Sequence, residues 1–213
     1  MPTREIQPTR SELLEVTRKI RLTRNGHKIL KLKRDGLILE FFKILDQAKD
    51  IRAEIARGYK EAQEKIAIAN AVDGVIAVRS AAYALTIHPD IQLRSKNLMG
   101  VVVPDIRSSR IVAPLDERGY GIIGTSPRID EAADAYEKLV ETVVKAAELE
   151  TTMKKLLEEI ERTKRRVNAL EFKVLPDLEE VERFIRFRLE EMERDNIFRL
   201  KRIKSKTAKA AET

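Results

Sequence analysis

The sequence predicts a mainly α fold: a long antiparallel two-helix coiled coil formed by the N- and C-terminal helices, with a small central lobe containing a short helix and a β-hairpin. Three observations predict it. Of 213 residues, 36% are charged, 43% hydrophobic and only 5% aromatic, the balance of long helices and not of a thick globular core. Apolar residues recur at alternating spacings of three and four through the first and last thirds. Five of the eight glycines and four of the seven prolines fall between residues 74 and 128, which sets a middle segment apart. The resulting organisation is residues 1–73 as the N-terminal helix, 74–128 as the lobe, and 129–213 as the C-terminal helix with a basic tail.

The first helix is justified by its seam. Leu13, Val16, Ile20, Thr23, His27, Leu30, Arg34, Leu37, Phe41, Ile44, Ala48, Ile51, Ile55, Tyr59, Ala62, Ile66 and Ala69 form one series. Only Thr23, His27 and Arg34 are off-type, and the step from Ile55 to Tyr59 slips the phase near Gly58. A helix of some 60 residues at 1.5 Å per residue is about 90 Å long.

The last third carries a second series: Leu139, Val143, Ala146, Glu150, Met153, Leu157, Ile160, Lys164, Val167, Glu171, Val174, Leu178, Val181, Ile185, Arg188 and Met192. Four of these positions are charged, so this seam is imperfect. Pro176 interrupts a strong helix former, yet Val174, Leu178 and Val181 keep the rhythm across it. The helix is therefore expected to continue, with a bend where proline removes one donor and crowds the carbonyl of Phe172, at a cost of about 3 kcal/mol. The competing reading ends one helix at Pro176 and caps the next with Asp177.

Within the lobe, Val75 to Leu85 reads as a short helix. "LMGVVVPDI" from Leu98 and "GYGIIGTS" from Gly119 read as the two strands, joined by polar stretches. "GYGIIG" also fits the dinucleotide pattern G-x-G-x-x-G, but that pattern works only between a buried strand and a helix, and "PLDER" before it is no such strand.

Charge and composition exclude several chemistries. With no cysteine there are no disulfides, thiolate sites or thiol nucleophiles. There is no Walker phosphate loop. His27 and His88 stand far apart and without cysteine make no zinc site; His27 lies on the seam. Acidic pairs such as Glu158–Glu159 and Glu190–Glu191 read as solvated helix faces. No catalytic, cofactor-binding or metal-ligating residue is assigned. The first ten residues lack the apolar core of a signal peptide, and the longest uncharged run, Ser80 to Pro89, is far short of the roughly 20 residues that span a bilayer. Net charge is +7, which points to an anionic partner. Val16 to Arg34 holds eight basic residues and no acid, while Asp177 to Asp195 holds eight acids against four arginines, so the two runs are expected to pair.

"PTRSELLEV" near the N-terminus, "LKLKRDGLI" from Leu30, "RRVNALEFKVLP" from Arg165 and "ERDNIFRLKRIK" from Glu193 together resemble the D subunit of the archaeal A-type and vacuolar-type rotary ATPases. The resemblance spans almost the whole chain. It implies a non-catalytic central-stalk rotor component, carrying torque between a catalytic hexamer of A and B subunits and a membrane ion-translocating ring. It also implies that the middle of the chain pairs with the small F subunit and seats on the C subunit, at the cytoplasmic face of the membrane and without insertion into it. Arg10, Arg199, Lys201 and Arg202 would then lie near the bearing at the top of the hexamer cavity, and Leu98 to Thr125 would be the hairpin.

The residues suit such a role on their own terms. A two-helix seam supplies torsional stiffness, and a basic surface meets acidic loops through screened contacts of about 1 kcal/mol or less. The alternatives are a basic coiled-coil nucleic-acid binder, using the Arg18 to Arg34 run and the "RLKRIKSKTAK" tail on phosphates, and a structural tether. Scarce aromatics count against the first, and the lobe has no purpose in the second.

Overall fold

A computed structural model describes residues 7–84, 90–109, 111, 118–121 and 125–211. Its elements are α1 (Arg10–Asp73), α2 (Val75–Ala84), β1 (Asp90–Leu98), β2 (Val101–Ser109), α3 (Pro127–Ala169), a π turn (Leu170–Val174) and α4 (Leu175–Ala211). The chain divides into two compact units, Met1–Asp35 with Glu161–Thr213, and Gly36–Ile160.

Local chemistry sets the helix ends. Thr9 caps α1: its Oγ1 accepts the Glu12 N–H at 3.2 Å, and Glu12 places a carboxylate in the positive first turn. At the other end Gly74 adopts φ +85° and donates its N–H to Asn70 O at 3.2 Å, the left-handed stop for which glycine is suited. α2 leaves from this turn at 116° to α1. Ser126 and Pro127 open α3, with Ser126 Oγ accepting the Arg128 N–H at 3.2 Å and Pro127 in the first turn, where its missing donor costs nothing. Ser126 Oγ also donates to the Asp73 carboxylate, tying the start of α3 to the end of α1.

In the first unit, Val16, Ile20 and Ile185 are buried, with Leu13, Leu175, Leu178, Val181 and Leu189 packed against them. In the second unit the core is Leu37, Ile44, Val101, Val103 and Leu156, with Phe41, Leu98, Leu149, Met153 and Ile160 around it. Each fully buried Leu or Val there contributes about 1.5–3 kcal/mol relative to exposure. A third cluster, Ala69, Ala81 and Ile129 with Val78 and Tyr120, fastens α2 beneath α1 and α3.

The seams differ from the sequence expectation in a consistent way. In α1 the rhythm does not slip at Gly58. Tyr59 is 52% exposed, and Gly58 itself takes the seam position, where a Cβ would meet Leu139 Cδ1 at 3.5 Å. In α3, Val167 is buried and Met153 and Ile160 pack on the core as expected, but Leu156 is fully buried and Leu157 is 47% exposed, so at that step the seam runs one residue earlier than read. Thr163, not Lys164, is buried. The charged positions of the expected series were therefore neighbours of the true ones.

Across Pro176 the helical run is unbroken, as expected, but the seam is not carried by Val174. The Leu175 N–H bonds to Leu170 O, a wide i→i+5 turn that admits one extra residue. Leu175 thereby joins the Val16–Ile185 cluster, while Val174 faces out. Widening the helix just before Pro176 relieves the clash between its ring and a preceding carbonyl.

The hairpin also differs. β1 and β2 pair antiparallel from Asp90↔Ser109 to Leu98↔Val101, so the first strand ends at Leu98, where it was expected to begin, and "LMGVVVPDI" contains the turn and most of the second strand. Met99 and Gly100 have φ 51° and 86°, the positive values of a two-residue turn matched to strand twist, and Gly100 N donates to Asn97 Oδ1 at 2.8 Å. Of the expected strand at Gly119–Ser126, Gly119–Gly121 is irregular, and positions 122–124 lie outside the described residues. The hairpin is packed into its unit, because Val101 and Val103 sit in the core there.

Candidate functional site: the helix ends and the hairpin

Three surfaces carry unusual chemistry. The first is the free end of α4. Arg10 Nη2 meets Glu193 Oε1 at 2.6 Å, which fixes where α1 begins alongside α4. α4 runs on to Ala211, about 27 Å further at 1.5 Å per residue. On this overhang Ile197, Phe198, Leu200 and Ile203 are more than half exposed, interleaved with exposed Arg199, Lys201 and Arg202. The cationic residues Arg10, Arg199, Lys201 and Arg202 thus lie at one end of the first unit, together with an apolar stripe that sequence reading passed over. A stripe of that kind has no seam partner in α1, and such residues are left for another surface to cover.

The opposite-charge runs meet in few places. Among the described residues Arg24 pairs with Glu179 at 2.7 Å, whereas His27 Nε2 lies 3.4 Å from Glu171 Oε2, an acid outside the C-terminal run. Several acids of the C-terminal run pair within their own helix instead, as in Arg186–Glu182 and Arg188–Glu191. Arg18, Arg21, Lys28 and Lys31 stay exposed, so a positive surface remains for an anionic partner. His88 lies outside the described residues.

The second surface is the hairpin on α1 and α3. Lys155 Nζ donates to Val102 O at 3.1 Å and the Ile106 N–H donates to Glu148 Oε2 at 3.2 Å. Two α3 side chains thus hold the backbone of β2. The third is Arg118, only 2% exposed, which bonds Asp134 and Glu137 and lies 3.6 Å from Asp130. Tyr120 Oη donates to Asp130 at 2.7 Å. Burial disfavours the guanidinium charge, but the bonds to Asp134 and Tyr120 and the charge of Glu137 outweigh it, and Arg118 is held above the ordinary arginine range. Burial, then the bond to Asp130, pushes the Tyr120 phenol up. Arg118 Nε has no acceptor among the described residues. A buried arginine amid carboxylates and a tyrosine fixes backbone position and supplies no nucleophile. Lone arginines in a loop give no sequence signal for such burial.

Among the described residues no single helix is long and apolar enough to cross a membrane. A family model for the ATP synthase D subunit matches residues 12–205. The A-type ATP synthase D subunit of Methanococcoides burtonii is 61% identical over 204 residues, covering 96% of this chain and 99% of that one. Those of Methanosarcina acetivorans and Archaeoglobus fulgidus are 59% and 54% identical, each over 97% of this chain and 99% of theirs. With two long helices packed along an apolar seam, a small hairpin between them, and near-complete coverage at these identities, the chain belongs to the ATP synthase D-subunit family.

Proposed function

We propose that this ATP synthase subunit is the central-stalk rotor: it transmits torque between the catalytic A and B hexamer and the ion-translocating ring, coupling ATP synthesis or hydrolysis to ion transport without catalysing either. On this reading residues 1–73 and 129–213 form the shaft, and residues 74–128 form the lobe that meets the F and C subunits at the cytoplasmic face of the membrane. The observation that carries the reading is the overhang of α4 past the Arg10–Glu193 pair. An end that bears exposed Phe198 and Leu200 among arginines and lysines suits a bearing, where apolar contact centres the shaft and screened charges break and re-form at each step.

The test is a chain ending at Asp195, rebuilt into the complete A-type complex. The cluster around Val16, Ile20 and Ile185 is kept, so the shortened chain should melt within a few degrees of the parent. ATP hydrolysis by the rebuilt complex should no longer drive ion transport. Full coupled transport by the shortened chain would show that the overhang is no bearing.

A further inference from the structure

The two edges of the hairpin are treated differently. In an antiparallel pair, alternate residues turn both N–H and C=O away from the partner strand. Val102 and Ile106 do so on β2, because their outward groups are the ones bonded by Lys155 and Glu148. Pro104 lies between them and has no N–H to offer. The β2 edge is therefore occupied at the Val102 carbonyl and the Ile106 N–H and lacks a donor at Pro104. Across the ladder these residues pair with Asn97, Leu93 and Ser95, so those three, with Ile91, turn their backbone groups outward on β1. None of the described residues bonds them. The β1 edge is an open template for another strand.

We infer that this edge receives an extended acidic segment of a partner protein, added as a third strand. The side chains of β1 specify its pattern. Alternate residues face opposite sides of a strand, which puts Arg94 and Lys96 on one face and Ile91 and Leu93 on the other. All four are exposed, Leu93 by 72%. A strand laid along this edge must bring acids beside Arg94 and Lys96 and apolar residues beside Ile91 and Leu93. Alternating acidic and apolar residues satisfy both faces. The same charges reject the simplest competitor, a second copy of this chain pairing edge to edge, since that would set Arg94 and Lys96 against their own kind.

The proline of the other edge supplies the test variant. Ser95 is the cross-strand neighbour of Pro104, and its N–H points away from the ladder. Ser95→Pro should remove a docking donor while leaving β1–β2 pairing and the melting curve unchanged. The probes are two eight-residue peptides, one alternating glutamate with valine and one alternating lysine with valine, titrated into the full chain by fluorescence anisotropy. The glutamate peptide should bind about tenfold or more tightly than the lysine peptide, and its binding should slow amide exchange in residues 91–97. Ser95→Pro should lose that binding, and the double variant R94E/K96E should reverse the preference. Overturning results are glutamate-peptide binding that survives Ser95→Pro, equal binding of both peptides, binding of neither, or a dimer of the full chain in sedimentation that Ser95→Pro dissolves. None of these bears on the α4 bearing, which the truncation tests separately.

Discussion

Met99 at the hairpin tip lies directly over Gly36 of α1: a Cβ built on Gly36 would stand 2.6 Å from Met99 Cε and 3.4 Å from Sδ. Alanine at this mid-helix site gains about 1 kcal/mol in helix propensity, but its methyl must push the Met99 terminus aside. Gly36→Ala is therefore expected to leave stability within about 1 kcal/mol of the parent. In a Met99→Asn background, where the shorter side chain also suits φ 51°, the propensity gain should appear in full. A urea-denaturation cycle over the four proteins should give a coupling of about 1 kcal/mol; simple additivity would show that the tip does not press on α1.

The register of α3 is testable at adjacent leucines. Leu156→Ala empties a fully buried site in the hairpin core and should cost about 2–5 kcal/mol. Leu157→Ala, at a residue 47% exposed, should cost less than about 1 kcal/mol. Equal costs would contradict the packing.

Arg118 and Tyr120 predict two separable effects. Arg118→Met strips the countercharge from Asp130, Asp134 and Glu137; with Asp134 half exposed, the expected loss is about 2–4 kcal/mol, at or below the 3–5 typical of a broken buried pair. Asp134→Asn leaves two acids on the guanidinium and should cost about 1 kcal/mol or less. Tyr120 acts at high pH. Its folded pKa is raised, so above about pH 10 the unfolded chain ionises first and binds fewer protons than the native one. That contribution to stability is complete below pH 10 and declines as pH rises toward the folded pKa. Melting from pH 8 to 11 should show this alkaline loss in the parent, and less of it in Tyr120→Phe.

The π turn is a one-residue insertion, and this fixes what deletion should do. Phe172 is 74% exposed and lies inside the turn. Deleting it while changing Pro176→Ala should leave an ordinary α-helix, with Val167, Leu170, Leu175 and Leu178 still on one seam. The far-ultraviolet circular dichroism should persist and the melting temperature should stay within about 5 °C of the parent. Deleting Arg162, outside the turn, rotates one side of the seam by about 100° against the other and should broaden or abolish the transition.

Both long helices were legible from periodicity, and the α1 seam from Leu13 to Ala69 was legible almost residue by residue. The errors have local causes. Gly58 has no apolar side chain to mark the seam position it holds, while the exposed Tyr59 beside it does. The second seam was followed at strict three-four spacing, and a wide turn breaks that spacing without leaving a compositional mark. β1, "DIQLRSKNL", alternates apolar and polar only from Ile91 to Arg94, a short run that stands out little where nearly every described side chain is exposed, and a Met-Gly turn is a weaker signal than Asn-Gly. The exposed stripe on α4 was readable as apolar residues, but only the position of Arg10 beside Glu193 reveals that no helix among the described residues covers it.

The core of the second unit has a consequence for how the chain acquires its fold. Leu37 and Ile44 are covered by Val101 and Val103 from the hairpin and by Leu156 from α3, partners that leave the ribosome at different times. As α1 emerges, its stripe has no cover, and helix propensity with pairs such as Lys43–Glu40 is its main support. The hairpin is synthesised before the middle of α3 and closes locally in microseconds, so it is the first surface able to shelter Leu37 and Ile44. By holding Gly36 under Met99 it sets the alignment that α3 must meet. In chain order, the hairpin is thus the earliest segment able to cover this stretch of α1.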